Sequence, residues 1–150
     1  MSEITEAQRA AIVTGNAGAI FTWGNDNVSA AVNTTSLNPG SSRNTASVVG
    51  SQPGGGTENQ FPAPRAGTFQ KMRVRHNSNA GNGNSVVYTL FVNNIASTLT
   101  ATLASGALGD ASNLVNTVAV VAGDIIDMRA AKALALGSGA VSAMVSTEFV

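Results

Sequence analysis

The stretch RHNSNAGNGNS, residues 75–85, carries the side chains most able to do chemistry in this chain. It contains the only histidine, His76, and a group of asparagines that could ligate a metal ion or hydrogen-bond a sugar. Glycine adopts positive φ without strain and asparagine tolerates it, so the same residues also suit a turn between two strands. We predict a turn, with a ligand contact at its tip as the alternative, because the stretch is long for a minimal hairpin.

His76 is the first candidate for catalysis. A hydrolytic triad places a histidine beside a nucleophile and a carboxylate, and no carboxylate lies near His76 in the sequence. A transition-metal site usually needs two or more nitrogen or sulfur ligands, whereas the chain has one histidine and no cysteine. We therefore expect His76 to be exposed at the edge of a loop. The lack of cysteine also excludes structural disulfides and thiolate zinc sites.

The eight carboxylates are the remaining candidates for acid–base chemistry. A glycosidase needs two of them facing one substrate. Asp124 and Asp127 are three apart in a strand-like segment, which places them on opposite faces, and Asp124 follows a glycine at a predicted turn, where aspartate makes local hydrogen bonds. Calcium held by a loop carbonyl with Asp26 or Asp110 stays open as an alternative. The sequence predicts no enzyme, no catalytic or metal-binding residue and no cofactor.

The composition limits the partners. The chain has 150 residues, which suits one domain, and only 11% are charged, against ~25% in typical soluble domains. Eight basic and eight acidic residues cancel, which argues against nucleic-acid binding. A neutral polar surface of Asn, Ser, Thr and Gly can pack against other proteins without desolvating ions. The first residues do not resemble a secretory signal and no run of ~20 apolar residues could span a membrane.

A basic row, Lys71, Arg73 and Arg75, alternates with the apolar Met72 and Val74 and predicts a strand. Phe69 shares the parity of the charged residues, which indicates either a β-bulge before Met72 or an apolar contact on the outer face. The row could be a solvated face paired across strands to Asp127. Our preferred interpretation is that it meets an acidic partner protein.

Further strands follow this one. Residues 85–94 are apolar on both parities, which predicts a strand covered on both sides, and Asn93-Asn94 suits a tight turn. Residues 95–106 alternate, with Ile95, Leu99, Ala101 and Leu103 predicted to face inward. The GDASN segment at 109–113 is expected to break the chain. Two strands around Gly123-Asp124 and a last strand over 141–150 complete an all-β fold, a jelly-roll-like antiparallel β-sandwich.

The first part of the chain is different. Residues 1–60 are predicted to form an extended N-terminal arm with a short helix over 2–14 and one or two strands added to the body, including 45–50. A flexible tail over residues 1–18 is the alternative. The body is predicted over residues 61–150. Phe21, Trp23 and Phe61 are the large aromatic residues of the arm and the start of the body.

Residues 62–131 resemble a known family. The segments PAPRAGTFQKMRVRHNSNAGNGNSVVYTLFVNN, STLTATLASG and NTVAVVAGDIIDMR follow one another as strand, Gly/Asn loop, strand, threonine-rich strand and valine-rich strand. This order resembles small jelly-roll virion proteins of tailed bacteriophages, which include capsid decoration (cement) proteins and fibre or knob modules. The resemblance implies a homotrimer on a particle surface, without enzymatic activity.

The resulting hypothesis is a decoration protein made in the host cytoplasm and located on the capsid surface of the virion, with the major capsid protein as its partner. The predicted interface residues are Phe21, Trp23, Phe61, Lys71, Arg73 and Arg75. The alternative is a fibre or knob module that binds host glycans. Trp23 and Tyr88 are the large polar aromatics available for a sugar site, and Tyr88 is expected to be buried.

Overall fold

The computed structural model of this chain describes residues 18–28, 35–39, 60–76, 85–104, 109–132 and 141–150. All the regular secondary structure within these residues is β-strand. In chain order the strands are β1 (Ala19–Val28), β2 (Thr35–Ser36), β3 (Asn38–Pro39), β4 (Phe61–Pro62), β5 (Gly67–His76), β6 (Val86–Val92), β7 (Ile95–Leu103), β8 (Asp110–Val120), β9 (Ile125–Lys132) and β10 (Val141–Phe149).

The strands form two antiparallel sheets that enclose the core. Sheet A has the order β3-β1-β10-β5-β8, and sheet B has the order β2-β9-β6-β7 with β4 also paired to β9. From β5 onward, successive strands alternate between the sheets, except β6 and β7, which are joined by a hairpin in sheet B. This order is that of a jelly roll, so the predicted jelly-roll-like sandwich is confirmed.

β1 belongs to the segment predicted to be an arm. It pairs with β10 from Ala19, opposite Phe149, to Val28, opposite Val141, and it pairs with β3 on its other side. The division of the chain at residue 60 stays a prediction. The helix predicted over 2–14 and the strand predicted over 45–50 lie outside the described residues.

Five aromatic rings form one end of the core, and we call them the aromatic cluster: Phe21, Trp23, Phe61, Phe69 and Phe149. The rings of Phe21 and Phe61 are stacked, with centroids 5.3 Å apart, and those of Phe69 and Phe149 lie 4.7 Å apart. Trp23, Phe69 and Phe149 are almost completely buried. Such rings bury more area per residue than any other side chain, so this cluster joins β1, β4, β5 and β10.

A β-bulge interrupts β5 at Lys71, which has a φ of 52°. The register with β10 shifts between Gln70 and Arg73, and the register with β8 shifts between Gln70 and Met72. The extra residue turns Gln70 and Lys71 to the same outer face and leaves both Phe69 and Met72 pointing inward, where both are fully buried. Of the two alternatives that the parity of Phe69 left open, a bulge or a contact on the outer face, the bulge is confirmed.

Two details of the strand pattern differ from the sequence-based expectation. Ile95 was predicted to face inward but is 72% exposed. It directly follows the Asn93-Asn94 turn, at the end of sheet B where the core stops. The predicted break at 109–113 is confined to Gly109, with a φ of 112°, and Asp110 already pairs with Arg75 at the start of β8. Cross-strand pairing with β5 thus overrides the turn preference of Asp110.

Asparagine side chains bridge β8 to β7 across the gap between the sheets. Asn113 Nδ2 donates to Thr100 O at 2.8 Å, and Asn116 Nδ2 donates to Thr98 O at 2.6 Å. Asn113 Oδ1 also accepts from the backbone N–H groups of Val115 and Asn116. These bonds hold a bulge in β8, opposite Lys71 of β5. Val115, which lies in this bulge, is 86% exposed.

Gly67 offers a test of the packing between β5 and the C-terminus. A Cβ at this position would lie 2.5 Å from Phe149 Cζ and 2.6 Å from Val150 O. Because both the ring and the backbone would have to move, Gly67→Ala should lower the free energy of unfolding by about 1–3 kcal/mol in urea denaturation. Ala66→Ser, at the exposed neighbouring position, is the control and should unfold like the unaltered chain. Equal stability of both variants would contradict this packing.

Candidate functional site

The outer face of sheet A carries the predicted basic row. Lys71, Arg73 and Arg75 are all exposed, while the intervening Met72 and Val74 are buried. The neighbouring strands β10 and β8 contribute short polar side chains to the same face. The bulge in β5 therefore sets which side chains of the strand reach solvent.

Lys71 forms an ion pair at one end of the row. Its Nζ lies 2.8 Å from Glu148 Oε2, and Gln70 Nε2 donates to the same oxygen at 3.4 Å. Both partners reach Glu148 because the bulge turns them to one face. The hydrogen bond from Lys71 holds the pKa of Glu148 below its usual value. The alternative that this row is paired across strands to Asp127 is wrong, since Asp127 lies in sheet B. The preferred interpretation, contact with an acidic partner protein, stays a prediction.

A shallow depression of about 280 Å³ lies on this face beside Arg73 and Arg75. Ser146 of β10 and Ser112 of β8 stand directly opposite Arg73 on either side. In the next row, Met144 and Asp110 flank Arg75. The arrangement offers guanidinium and hydroxyl donors to a ligand and has no nucleophile paired with a base.

The predicted aromatic interface residues lie in the aromatic cluster. Trp23 is fully buried, so its indole packs within this chain and offers no surface for docking. Phe21 and Phe61 are half-buried and stack on each other at the edge of the cluster. Their role in docking stays a prediction, whereas a docking surface built on Trp23 would require the core to open.

His76 is buried, with 3% exposure, and the expectation that it lies exposed at a loop edge is wrong. It is the last residue of β5, and its side chain faces the core on the same side as Val74. His76 Nε2 shares a hydrogen bond with the Tyr88 hydroxyl. Tyr88 is fully buried, as predicted.

Burial and charge shift the titration of this corner. Burial lowers the pKa of His76 from 6.5 to about 4, with the positive charge of Lys132 as a second cause. Burial also lowers the pKa of Lys132 from 10.5 to about 8 and raises that of Tyr88. The imidazole is therefore neutral at pH 7 and holds the hydroxyl of Tyr88 in place. We call His76, Tyr88 and Lys132 the histidine corner.

A buried ion pair in sheet B was missed by the sequence analysis. Arg129 Nε lies 2.5 Å from Asp127 Oδ2, and both side chains are almost completely buried although they face away from the core. The guanidinium carbon lies 4.0 Å from the centroid of the Phe91 ring, and Arg129 Nη2 donates to Asn94 Oδ1 at 2.5 Å. The sequence shows that Asp127 and Arg129 lie two residues apart on one strand, but it does not show that they are buried.

The turns at this end of sheet B are joined by short polar bonds. Asn93 and Asn94 have φ values of 51° and 66°, so the predicted tight turn with positive φ is confirmed. Asn93 Nδ2 donates to Asp124 Oδ1 at 2.8 Å, and the backbone N–H of Val121 donates to Asp124 Oδ2 at 2.8 Å. These bonds, with that from Val121 as the larger cause, lower the pKa of Asp124. Asp124 thus makes the local hydrogen bonds that its turn position predicted.

Metal-binding clusters and membrane-spanning helices are further kinds of candidate site to consider in the described part of the chain. No three acidic or histidine side chains there are placed to hold a metal ion. No helix in that part is long and apolar enough to cross a membrane. Residues 77–84 of the Gly/Asn loop lie outside the described residues, so its choice between turn and ligand contact stays a prediction.

The histidine corner predicts a pH-dependent stability. The unfolded chain binds a proton at His76 near pH 6.5, whereas the folded chain binds it only near pH 4. The unfolded state therefore holds more protons between these values, and the free energy of unfolding should fall by up to about 3 kcal/mol as the pH drops from 6.5 to 4.

Urea denaturation across this pH range measures the effect, with His76→Gln as the control. The variant lacks the titrating imidazole and should show a flatter dependence above pH 4. Asp124 and Glu148 have lowered pKa values, so their contribution is lost at lower pH and is common to both proteins. Parallel curves for the two proteins would show that His76 is not protected from protonation by the fold.

Asn94 offers a matched series, because its positive φ and its bond to Arg129 can be removed separately. Asn94→Gly keeps the backbone conformation but loses the acceptor, and should cost about 1–2 kcal/mol of unfolding free energy. Asn94→Ala also places a residue that disfavours positive φ at this position, and should cost about 1 kcal/mol more of unfolding free energy. Asn94→Asp keeps both features and should be the most stable of the three. Equal stability of Asn94→Gly and Asn94→Asp would contradict the bond to Arg129.

No family model matches the sequence of this chain, and no curated protein matches it either. The function therefore has to be argued from the residues and geometry of the chain itself.

Proposed function

We propose that this chain is a structural virion protein, a capsid decoration protein that binds across the subunits of a phage head and holds them together. The observation that carries the proposal is the outer face of sheet A, an exposed sheet surface with a basic row, hydroxyl side chains and the exposed apolar Ile20 and Met144. Such a mixed face suits contact with another protein, because arginine and methionine are enriched in interfaces.

The proposed mechanism is burial of surface. A protein that binds only the assembled, expanded shell stabilises that state by mass action, and binding at many equivalent positions adds to the effect. The jelly roll provides a rigid support for the contact face, because its sheets are joined by the aromatic cluster and by the asparagine bridges between β7 and β8. A chemical step is not required for this function.

A homotrimer is part of the proposal and follows from the resemblance to decoration proteins. Leu114 and Val115, 50% and 86% exposed in the β8 bulge, offer apolar area that a contact between copies would bury. Other exposed apolar side chains, Ile95 and Val121, lie near the turns at the end of sheet B. In this proposal, copies contact each other through the β8 bulge and contact the shell through a different surface, the outer face of sheet A.

Recognition of host glycans by a fibre or knob module is the alternative. Sugar sites usually present an exposed aromatic side chain, and the aromatic residues that the structure describes are buried or half-buried. This favours the decoration function. Reading frames beside the gene offer a simple discriminator, since a neighbouring major capsid protein supports decoration and a neighbouring tail fibre supports the alternative.

The direct test is co-sedimentation of the purified chain with expanded shells, together with its mass in solution. The full chain is expected to be a trimer and to sediment with the shells in a fixed ratio. Deletion of residues 2–17, which precede β1, should leave a folded trimer that binds shells more weakly, if the N-terminal segment reaches neighbouring subunits. A monomer that stays in the supernatant would contradict the proposal, and a truncated chain that binds as tightly would remove the N-terminal segment from it.

A further inference from the structure

The basic row differs along its length in what its cations face. Lys71 is paired with Glu148 at one end, and Arg75 stands opposite Asp110 at the other. Arg73, in the middle, has a serine opposite it on each side. Among the described residues neither Arg73 nor Arg75 forms an ion pair within 4 Å. The charge of Arg73 is the smallest of the causes that lower the pKa of Glu148. The middle guanidinium is therefore the cation of the row with hydroxyl side chains, and no carboxylate, directly opposite it on both neighbouring strands.

We propose that the depression around Arg73 binds a single carboxylate, supplied by an aspartate or glutamate side chain of a partner protein. Arg73 is the anchor, because a guanidinium can donate two parallel N–H bonds to one carboxylate. Ser146 and Ser112 lie one strand spacing away on either side, about 5 Å, and their hydroxyls can donate to the same group. We call this depression the Arg73 groove.

The flanking charges restrict the ligand to one anionic group. Glu148 and Asp110 lie on the same face at the two ends of the row, on strands that flank β5. A polyanion such as nucleic acid would bring further negative charges against these carboxylates, which is unfavourable. A single acidic side chain can contact Arg73 without approaching Glu148 or Asp110.

The remaining surface of the groove favours a protein over a sugar. Met144, 51% exposed and opposite Arg75, offers a flexible apolar wall of the kind that adapts to side chains at protein interfaces. An exposed aromatic ring, which a sugar would stack on, is absent from the described residues that line the groove. The assignment of the carboxylate to a protein partner rests on the proposed decoration function, whereas the groove itself does not.

The test is a titration of the full-length, ¹⁵N-labelled chain with N-acetyl-glutamate N-methylamide, followed by the amide shifts of Ser112 and Ser146 and the Nε–H signal of Arg73. We expect saturable shifts with a dissociation constant on the order of 1–10 mM, weakened at least about tenfold by Arg73→Gln. Arg73→Lys, which loses the two-pronged geometry, should fall between. The neutral glutamine analogue should give no saturable shifts.

Arg65→Gln is the matched control. Arg65 is an exposed arginine whose guanidinium lies 5.1 Å from the Phe149 ring, outside the groove, and its loss should leave the titration unchanged. Equal binding to the Arg73→Gln chain, or no saturable shift in the unaltered chain, would overturn the groove. Tighter binding of N-acetylneuraminic acid than of the glutamate probe would overturn the assignment to a protein partner.

The outcome is separable from that of the decoration function, because the titration uses no shells. A chain that binds the probe but ignores shells supports the groove and contradicts decoration. A chain that binds shells equally with Arg73 or Gln at position 73 supports decoration and overturns the groove as its contact.

Discussion

The bulge at Lys71 is the local constraint on which both faces of sheet A depend. Without the extra residue, a strand that points Met72 and Val74 inward would point Phe69 outward with the charges, and the aromatic cluster would lose a central ring. With it, Phe69 and Phe149 pack at 4.7 Å, while Gln70 and Lys71 both reach Glu148 on the outside. One irregular residue, held in a conformation that most side chains avoid, thus connects the packing of the core with the charge pattern of the surface.

Much of this fold could be predicted from local pattern. The parity conflict at Phe69 indicated the bulge, the Asn93-Asn94 pair indicated a turn with positive φ, and alternation over Leu99, Ala101 and Leu103 indicated their burial. These features depend on backbone stereochemistry and on the two-residue period of a strand, which neighbouring residues determine. Exposure at strand ends, as for Ile95, depends on where the opposing sheet stops and was predicted wrongly.

The buried polar groups could not be predicted, because their partners are distant in sequence. His76 meets Tyr88 across the sandwich, and Arg129 meets Asn94 over 35 positions. From the sequence alone, a histidine beside a Gly/Asn loop is most simply an exposed residue, and a strand carrying Asp127 and Arg129 is most simply solvated. The candidate site likewise combines a local pattern with contacts distant in sequence. The basic row could be predicted from the alternation of residues in one strand. The serines that flank Arg73 could not, because they depend on the pairing of β5 with β10 and β8.

We propose that this protein acts through a supported surface, and that its histidine and buried ion pair are parts of the fold. In this proposal, the outer face of sheet A is the contact face on an assembled particle. Electron cryomicroscopy of shells decorated with the full chain would test this claim most directly. We expect density that places Arg73, Ser112 and Ser146 against a capsid subunit. Density with this face turned to solvent and another surface against the shell would contradict it.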